Sequence, residues 1–518
     1  MKRSGYEPTP SSAAGADIPP RATLLLLGLA AVKVFLHVVA NLGDGYFRDE
    51  FYYVACSERL AWGYVDHPPL SIAVLALTRR LFGDSVLAIR LPAVLAGGFL
   101  VFLAGCLARR MGGAAFAQGL AALTVLAMPL VLAVDSFYSM NAFDLVFWTA
   151  GAYLFVLRVD RQDTRLWIPF GLVAGLGLLD KYSMGFFLFG LAAGMCLSRE
   201  RRDFFRAPFW VGAALAALLF APHVFWQLRH GFPTLEFMRN ATTLKVSEFS
   251  PLEYLGAQIL ETNPGTLVVW LPGLLFLFFS ARGRRFVALG VLYLVVLGLF
   301  LVQGGKPYYL GPAYPILAAA GGVFLERVSG SPLLRVGLVA LVSVSGALLA
   351  PFGIPLLSAE GLVRYSEWLG LRAPAEERHY SGAVPQHLAD RLGWEELVET
   401  VARTYRALPE ADRERARIVG LSYGEAGAVD LLGRHYGLPP ARSPHNSYWL
   451  WGPGDLDGGV VLVVGKISAE RLEALFENVE PGPTVRVPYA VVDGTRIFVC
   501  RGLRESLPAL WAKLKRFV

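Results

Sequence analysis

The sequence predicts an all-α polytopic transmembrane bundle of about 11 to 13 helices, followed by a small soluble α/β domain on the outer face. Three observations predict it. The composition is apolar, with 55% hydrophobic and 17% charged residues over 518 positions and a mean hydropathy of +0.47, a balance found in membrane proteins rather than soluble ones. Apolar runs recur through the first 350 residues and then stop. Arginine-rich loops alternate with acidic and aromatic ones, so the net charge of +7 reads as a topology signal rather than a nucleic-acid footprint.

Residues 1–20, with Pro8, Pro10, Pro19 and Pro20 among Ser and Ala, read as a disordered cytoplasmic tail without a convincing cleavage site. The run from Ala22 is long enough to cross about 30 Å of hydrocarbon at 1.5 Å per residue, and is expected to stay as an anchor. Further spans are expected near 86–107, 114–134, 143–157, 168–179, 182–197, 209–228, 265–281, 286–302, 308–325 and 335–350. With the amino terminus inside, Arg109 and Arg110, "RVDRQDTR", "SRERRDFFR", "ARGRR" and "ERVSGSPLLR" all fall on the cytoplasmic side. The loop at 41–85, the "DSFYSMN" turn, the 229–264 segment and the "QGGKP" turn then make up the outer face. The run 168–179 is short for a span, so it is expected to form a hairpin with 182–197 whose tip, "LLDKYS", holds Asp180 and Lys181 at membrane depth; snorkelling to the headgroups is the alternative.

The transmembrane domain is assigned to 21–352 and the soluble domain to 353–518. In the latter, "ARIVGLSYG" and "GVVLVVGK" read as buried strands, "EAGAVDLLGRHYG" and "SAERLEALFENV" as helices, and the segment from Thr484 as a hairpin turning at Asp493 and Gly494. Four cysteines are too few for a disulfide scaffold, and a Cys56–Cys500 bridge is not favoured.

Candidate chemistry gathers in the outer loops. "GDGYFRDEFYYVACSERLAWGYVDHPPL" packs Arg48, Asp49, Glu50, Tyr52, Tyr53, Asp66 and His67 directly after the first span. A carboxylate beside a cation in an aromatic setting suits a general base, while acidic residues also favour the first turn of any helix. His67 suits an anion or proton contact, though a lone histidine is more often a local hydrogen-bond partner. Lys306 with Tyr308 and Tyr309 suits a phosphate at headgroup level and also an ordinary interfacial anchor. His223 and Gln227 sit near one span end and Asp144 just inside another, where an ionisable residue is a functional candidate or a helix-start contact. Tyr448, Trp449 and Trp451 suit either sugar stacking or membrane docking. No residue set has metal-ligand spacing, and no metal cage is expected.

Taken in order, "FRDEFYYVACSERLAWGYVDHPPL", "GLGLLDKYSMGFF", "APHVFWQLRHGFP" and "GKPYYLGPAYP" resemble the membrane glycosyltransferases of family 39, which include protein O-mannosyltransferases and lipid A aminoarabinose transferases. The resemblance covers roughly the first 325 residues and implies the C-type glycosyltransferase fold. It further implies a multi-pass enzyme of the bacterial inner membrane, with active site and carboxyl-terminal domain facing the periplasm. Such an enzyme moves a sugar from a polyprenyl (undecaprenyl) phosphate to a lipid, glycan or protein acceptor with inversion. By the same resemblance Asp49 is the catalytic base with Glu50 beside it. Lys181, Lys306 and His67 are the positions that match its donor-phosphate contacts; Arg48 is a further candidate for that phosphate, and Asp66, Tyr52, Tyr53, Asp144, Tyr182, His223, Gln227, Tyr308 and Tyr309 are candidates for the cavity lining. His67 stands where some relatives carry lysine. No cofactor is required, and a divalent cation is compatible with the scheme. The rival classes are a lipid-linked sugar flippase, against which stands the absence of an internal repeat, and a noncatalytic lipid-sugar binding subunit.

Overall fold

The computed structural model describes residues 20–244, 249–371 and 382–518. The expected tail at 1–20 lies outside these except for Pro20, as does part of the charged segment after Leu371.

Among the described residues seven helices are long and apolar enough to cross a bilayer: Arg21–Ala40, Val86–Arg110, Met140–Arg161, Ala207–Arg229, Gly283–Gln303, Pro307–Val328 and Pro332–Gly353. The other expected spans fall on shorter helices. The run 114–134 splits into Ala115–Leu126 and Pro129–Val134, because Pro129 has no amide to continue a helix and serves instead as the first residue of the next. Trp167–Asp180 and Ser183–Cys196 form the expected hairpin with Lys181 and Tyr182 at its tip. Leu267–Phe279 is joined through a bend of 87° to Pro251–Glu261, so the segment 229–264, read only as an outer loop, is largely helical: Pro233–Leu244 and Pro251–Glu261.

Small residues let these helices approach closely, since lipid supplies no hydrophobic drive between them. A Cβ on Gly321 would come within 1.9 Å of the Val269 carbonyl oxygen, and one on Gly171 within 2.1 Å of that of Gly212. Inside the bundle Lys33 of the first span pairs with Asp135 at 2.8 Å, both fully buried, and donates to the Val131 carbonyl at 2.9 Å. A charge at this depth persists only when paired, so the contact pins the broken helix to the first span.

The carboxyl-terminal domain holds one five-stranded sheet in the order β2-β1-β3-β5-β4. Its strands are β1 (Ala416–Gly420), β2 (Ala441–Arg442), β3 (Val460–Gly465), β4 (Phe476–Thr484) and β5 (Arg496–Leu503). β1, β2 and β3 run parallel and β5 antiparallel between β3 and β4. The strands at "ARIVG" and "VVLVVG" lie where expected, but "SAERLEALFENV" is corrected: the helix ends at Glu473, and Phe476 begins β4. There the pairing of Phe476 with Leu503 and Asn478 with Arg501 outweighs the helical pattern of the preceding residues. All four cysteines are free.

The domain docks through helix Tyr423–Leu432 on the loop helix Arg48–Ser57. A Cβ on Gly427 would lie 2.7 Å from that of Phe51, so glycine permits the approach. Beneath this junction Glu50, with no exposed surface, takes Arg90 Nε at 2.7 Å and Nη2 at 2.9 Å, the Tyr138 amide at 2.7 Å and the Phe47 amide at 2.8 Å. Arg90 also reaches Asp44 at 2.6 Å, Asn41 at 3.0 Å and the Gly45 carbonyl at 2.7 Å. Leaving one partner of such a buried pair unmatched costs about 3–5 kcal/mol. Arg90→Leu is therefore expected to lower the melting temperature of the purified protein by on the order of 10 °C, measured by intrinsic fluorescence; an unchanged temperature would show that the clasp does not hold the loop.

Candidate active site

A cavity of about 240 Å³ opens where the first loop, the "DSFYSMN" turn, the "QGGKP" turn and the segment Pro385–Asp390 converge. Its walls are divided. Leu130, Val134, Phe137, Leu260, Leu349 and Phe352 make an apolar side, and Arg48, Asp49, Asn141, Glu261, Lys306 and Tyr308 a polar one.

Asp49 enters this wall because it stands in the first turn of Arg48–Ser57, one residue before the clasped Glu50. Its side chain keeps 33% exposure. Oδ1 accepts from the Tyr423 hydroxyl at 2.8 Å and from Arg48 Nε at 3.2 Å, while Oδ2 takes no hydrogen bond among the described residues. Burial, with the Asp49 charge beside it, holds the Tyr423 phenol well above its ordinary pKa, so it remains a proton donor at any physiological pH. Arg48 also faces Asp390 at 3.5 Å across the cavity. Glu50 is different in kind: every contact described above occupies its carboxylate, so its oxygens hold structure and do not reach the cavity.

Of the expected phosphate contacts, Lys306 and Arg48 line the cavity. Lys306 lies 5.9 Å from the Tyr308 ring centre. Lys181 stands one layer behind. It donates to Asn141 Oδ1 at 2.7 Å, pairs with Asp144 at 3.1 Å, and lies 5.8 Å and 5.5 Å from the rings of Tyr308 and Tyr309. Asp144 also accepts from Ser183, the first residue of the second hairpin helix. Lys181 at the tip is thus held by internal pairing rather than by snorkelling, whereas Asp180 is fully buried and neither of its carboxylate oxygens has a hydrogen-bond partner among the described residues.

The remaining residues form two buttresses away from the cavity walls. His67, 1% exposed, stacks on Tyr53 at 4.8 Å and packs against Tyr52 and Tyr64. Its Nε2 lies 4.0 Å from Asp66. The Tyr52 hydroxyl sits between Asp66 Oδ1 at 2.7 Å and Ser447 Oγ at 2.6 Å, binding loop to soluble domain. In the second buttress the Tyr182 hydroxyl lies 2.6 Å from His223 Nε2, and Gln227 donates to it at 3.3 Å. Gln227 also donates to Thr234 at 2.6 Å, and His223 Nδ1 lies 2.8 Å from the Trp62 carbonyl oxygen. Tyr448 is buried with its hydroxyl on Asp430 at 2.7 Å. Trp449 donates to the Trp511 carbonyl at 2.8 Å, and Trp451 lies under Arg59 at 4.5 Å. These aromatics pack the domain and do not line the cavity.

Sequence reasoning missed Arg90, Tyr423, Asn141, Glu261 and His387. Asn141 lies in the turn singled out for Asp144, three residues earlier, and Glu261 is an acid at the end of an apolar helix; the others carry no local signal. Burial, with Arg391 nearby, pushes the His387 imidazole down to about 3, so it meets the cavity uncharged. Among the described residues no three His, Cys, Asp or Glu side chains converge to hold a metal.

Residues 66–226 match the model of the dolichyl-phosphate-mannose-protein mannosyltransferase family. The lipid A galacturonosyltransferase RgtD of Rhizobium johnstonii is 26% identical over 276 residues, which cover 51% of this chain and 56% of the relative, so the chain spans about half the length of the curated relative it matches. ArnT from Cupriavidus metallidurans bound to undecaprenyl phosphate superposes with a TM-score of 0.62 at 16% identity, over 92% of this chain and 97% of its own. The oligosaccharyltransferase AglB from Archaeoglobus fulgidus, in complex with an inhibitory peptide and a dolichol-phosphate, gives 0.52 at 10% identity over 85% and 65%. At these identities the two structures speak for the fold. The protein is thus a multi-pass membrane protein with the fold of ArnT, and its residues 66–226 are similar to the dolichyl-phosphate-mannose-protein mannosyltransferase family.

Proposed function

We propose that the protein is an inverting glycosyltransferase that moves a sugar from an undecaprenyl or other polyprenyl phosphate to a lipid, glycan or protein acceptor. The observation that carries this reading is the divided cavity: an apolar wall suited to an isoprenoid chain meets a polar wall where the Asp49 carboxylate and the Lys306 ammonium stand together. The undecaprenyl phosphate in the ArnT structure and the galacturonosyl transfer in the name of RgtD support the donor and reaction class. Lipid A is the first acceptor to try. The arginine-rich loops at the far ends of the helices support a periplasmic cavity.

Asp49 Oδ2 takes the proton of the acceptor hydroxyl as that oxygen attacks the anomeric carbon from the side opposite the phosphate. The bond from anomeric carbon to phosphate oxygen breaks and its electron pair leaves with the phosphate, so the configuration inverts. Lys306 and Arg48 meet the charge that develops on the leaving phosphate, an interaction that strengthens toward the transition state and lowers the barrier. Lys181 fixes the Asn141 side chain from behind. The scheme needs no nucleotide, covalent intermediate or cofactor.

Transfer by the purified protein in lipid, offered polyprenyl phosphate sugars with lipid A or peptide acceptors, checks the reading. Asp49→Asn is expected to lower turnover at least 100-fold, with donor retention within about twofold because the phosphate contacts remain. Full turnover in this variant would remove Asp49 from the chemistry, and donor movement across the bilayer without transfer would mark a flippase.

Tyr423→Phe removes one charge-assisted hydrogen bond from the base. It is expected to lower kcat by about tenfold with the donor KM within about twofold, the signature of a positioning residue. A change confined to KM would contradict that role.

A further inference from the structure

A second, larger cavity of about 1230 Å³ lies at the opposite ends of the helices. Helix Met140–Arg161 shows the separation, since Asn141 lines the active cavity and Arg158, about 25 Å along the axis, lines this one. The cavity is open between the ends of four membrane helices, those terminating at Arg161 and Cys196 and those beginning at Ala207 and Gly283.

Its charge is one-sided. Seven arginines line it, at 158, 199, 201, 202, 206, 284 and 285, against the two acids Glu200 and Asp203. Asp203 is already committed to Arg158 and to the Trp167 indole at 2.8 Å. Arg285 faces Asp160 at 3.6 Å. Among the described residues the other five arginines form no ion pair. Arg158 itself is 8% exposed, and its buried Nε has no hydrogen-bond partner, a donor left in the cavity wall beside one already used. A buried guanidinium with an unused donor calls for an external acceptor.

The apolar side chains beside the cavity place that acceptor at a bilayer. Leu197 lines it and Phe205 and Trp210 follow in the same segment; the three are 75%, 88% and 60% exposed and alternate in sequence with the arginines, the pattern of side chains seated at the boundary of acyl chains and headgroups.

We propose that this cleft binds the headgroup of an anionic phospholipid of the leaflet opposite the active cavity, and that a headgroup with two phosphates, as in a diphosphatidylglycerol, fits it best. Arginines from two separate segments, 199–206 and 284–285, offer a fork to each of two phosphates, and the cavity has room for both. The exposed apolar rim favours a lipid over a soluble anion, which has no acyl chains to cover it.

The test uses the full chain in nanodiscs of phosphatidylcholine containing diphosphatidylglycerol, extracted into neutral detergent, with bound lipid measured by native mass spectrometry. Wild type is expected to retain the two-phosphate lipid. Two variants on separate walls, Arg199→Gln/Arg201→Gln/Arg202→Gln and Arg284→Gln/Arg285→Gln, are expected to weaken retention by about 100-fold and tenfold respectively, and matching Arg→Lys variants to recover part of it. Elution as the wild-type species confirms that each variant is folded. Equal retention by wild type and both glutamine variants would overturn the proposal. So would protection against thermal unfolding by inorganic pyrophosphate equal to that by the lipid, which would make the cleft a soluble-anion site.

Discussion

The bidentate pair between Glu50 and Arg90 is the contact on which the rest of the site depends. It joins the loop after the first span to a membrane helix at a point where both partners lack solvent, so neither can be released without a large penalty. By also binding the Tyr138 amide, Glu50 brings the "DSFYSMN" turn to the same anchor. Lys33 holds that turn from below through Asp135. Asp49, one residue before a locked neighbour, is therefore delivered to the cavity wall with little freedom. Two adjacent carboxylates thus divide the work: Glu50 fixes the backbone and Asp49 faces the cavity.

The soluble domain belongs to the site rather than standing beside it. Tyr423 donates to Asp49, Ser447 meets Tyr52, and Arg391 reaches Asp44 at 2.5 Å and Ser136 at 2.6 Å, all at the clasped loop. Pro385, Gln386, His387 and Asp390 close one side of the cavity. Because the domain both completes the wall and holds the Asp49 carboxylate, its removal would expose the cavity and release Asp49 together. The aromatic residues near Trp449 pack within the domain and do not line the cavity.

Hydropathy made the membrane half legible, since each of the eleven apolar runs corresponds to a helix or to a pair broken at proline. Where periodicity competed with pairing it failed: "FENV" follows a helix without a strong stop, and only the partner strand β5 makes it β. The site was legible where its residues share a loop, as with Arg48 and Asp49, or a turn, as with Lys306 and Tyr308. Arg90 lay hidden inside an apolar run, and Tyr423 is 374 residues from the carboxylate it serves, so no local spacing could connect them. His67 illustrates the converse. A polar residue in a conspicuous motif is caged by three tyrosines, and its prominence reflects loop architecture.

Where a polyprenyl phosphate binds decides whether the divided cavity is the place of transfer. A structure of the protein in nanodiscs with an undecaprenyl phosphate should show the phosphate between Lys306 and Arg48, the isoprenoid chain along Leu130, Leu349 and Phe352, and Asp49 Oδ2 facing the space left for the sugar. A phosphate bound elsewhere, with the cavity closed or empty, would contradict the central claim that this divided cavity is where transfer occurs.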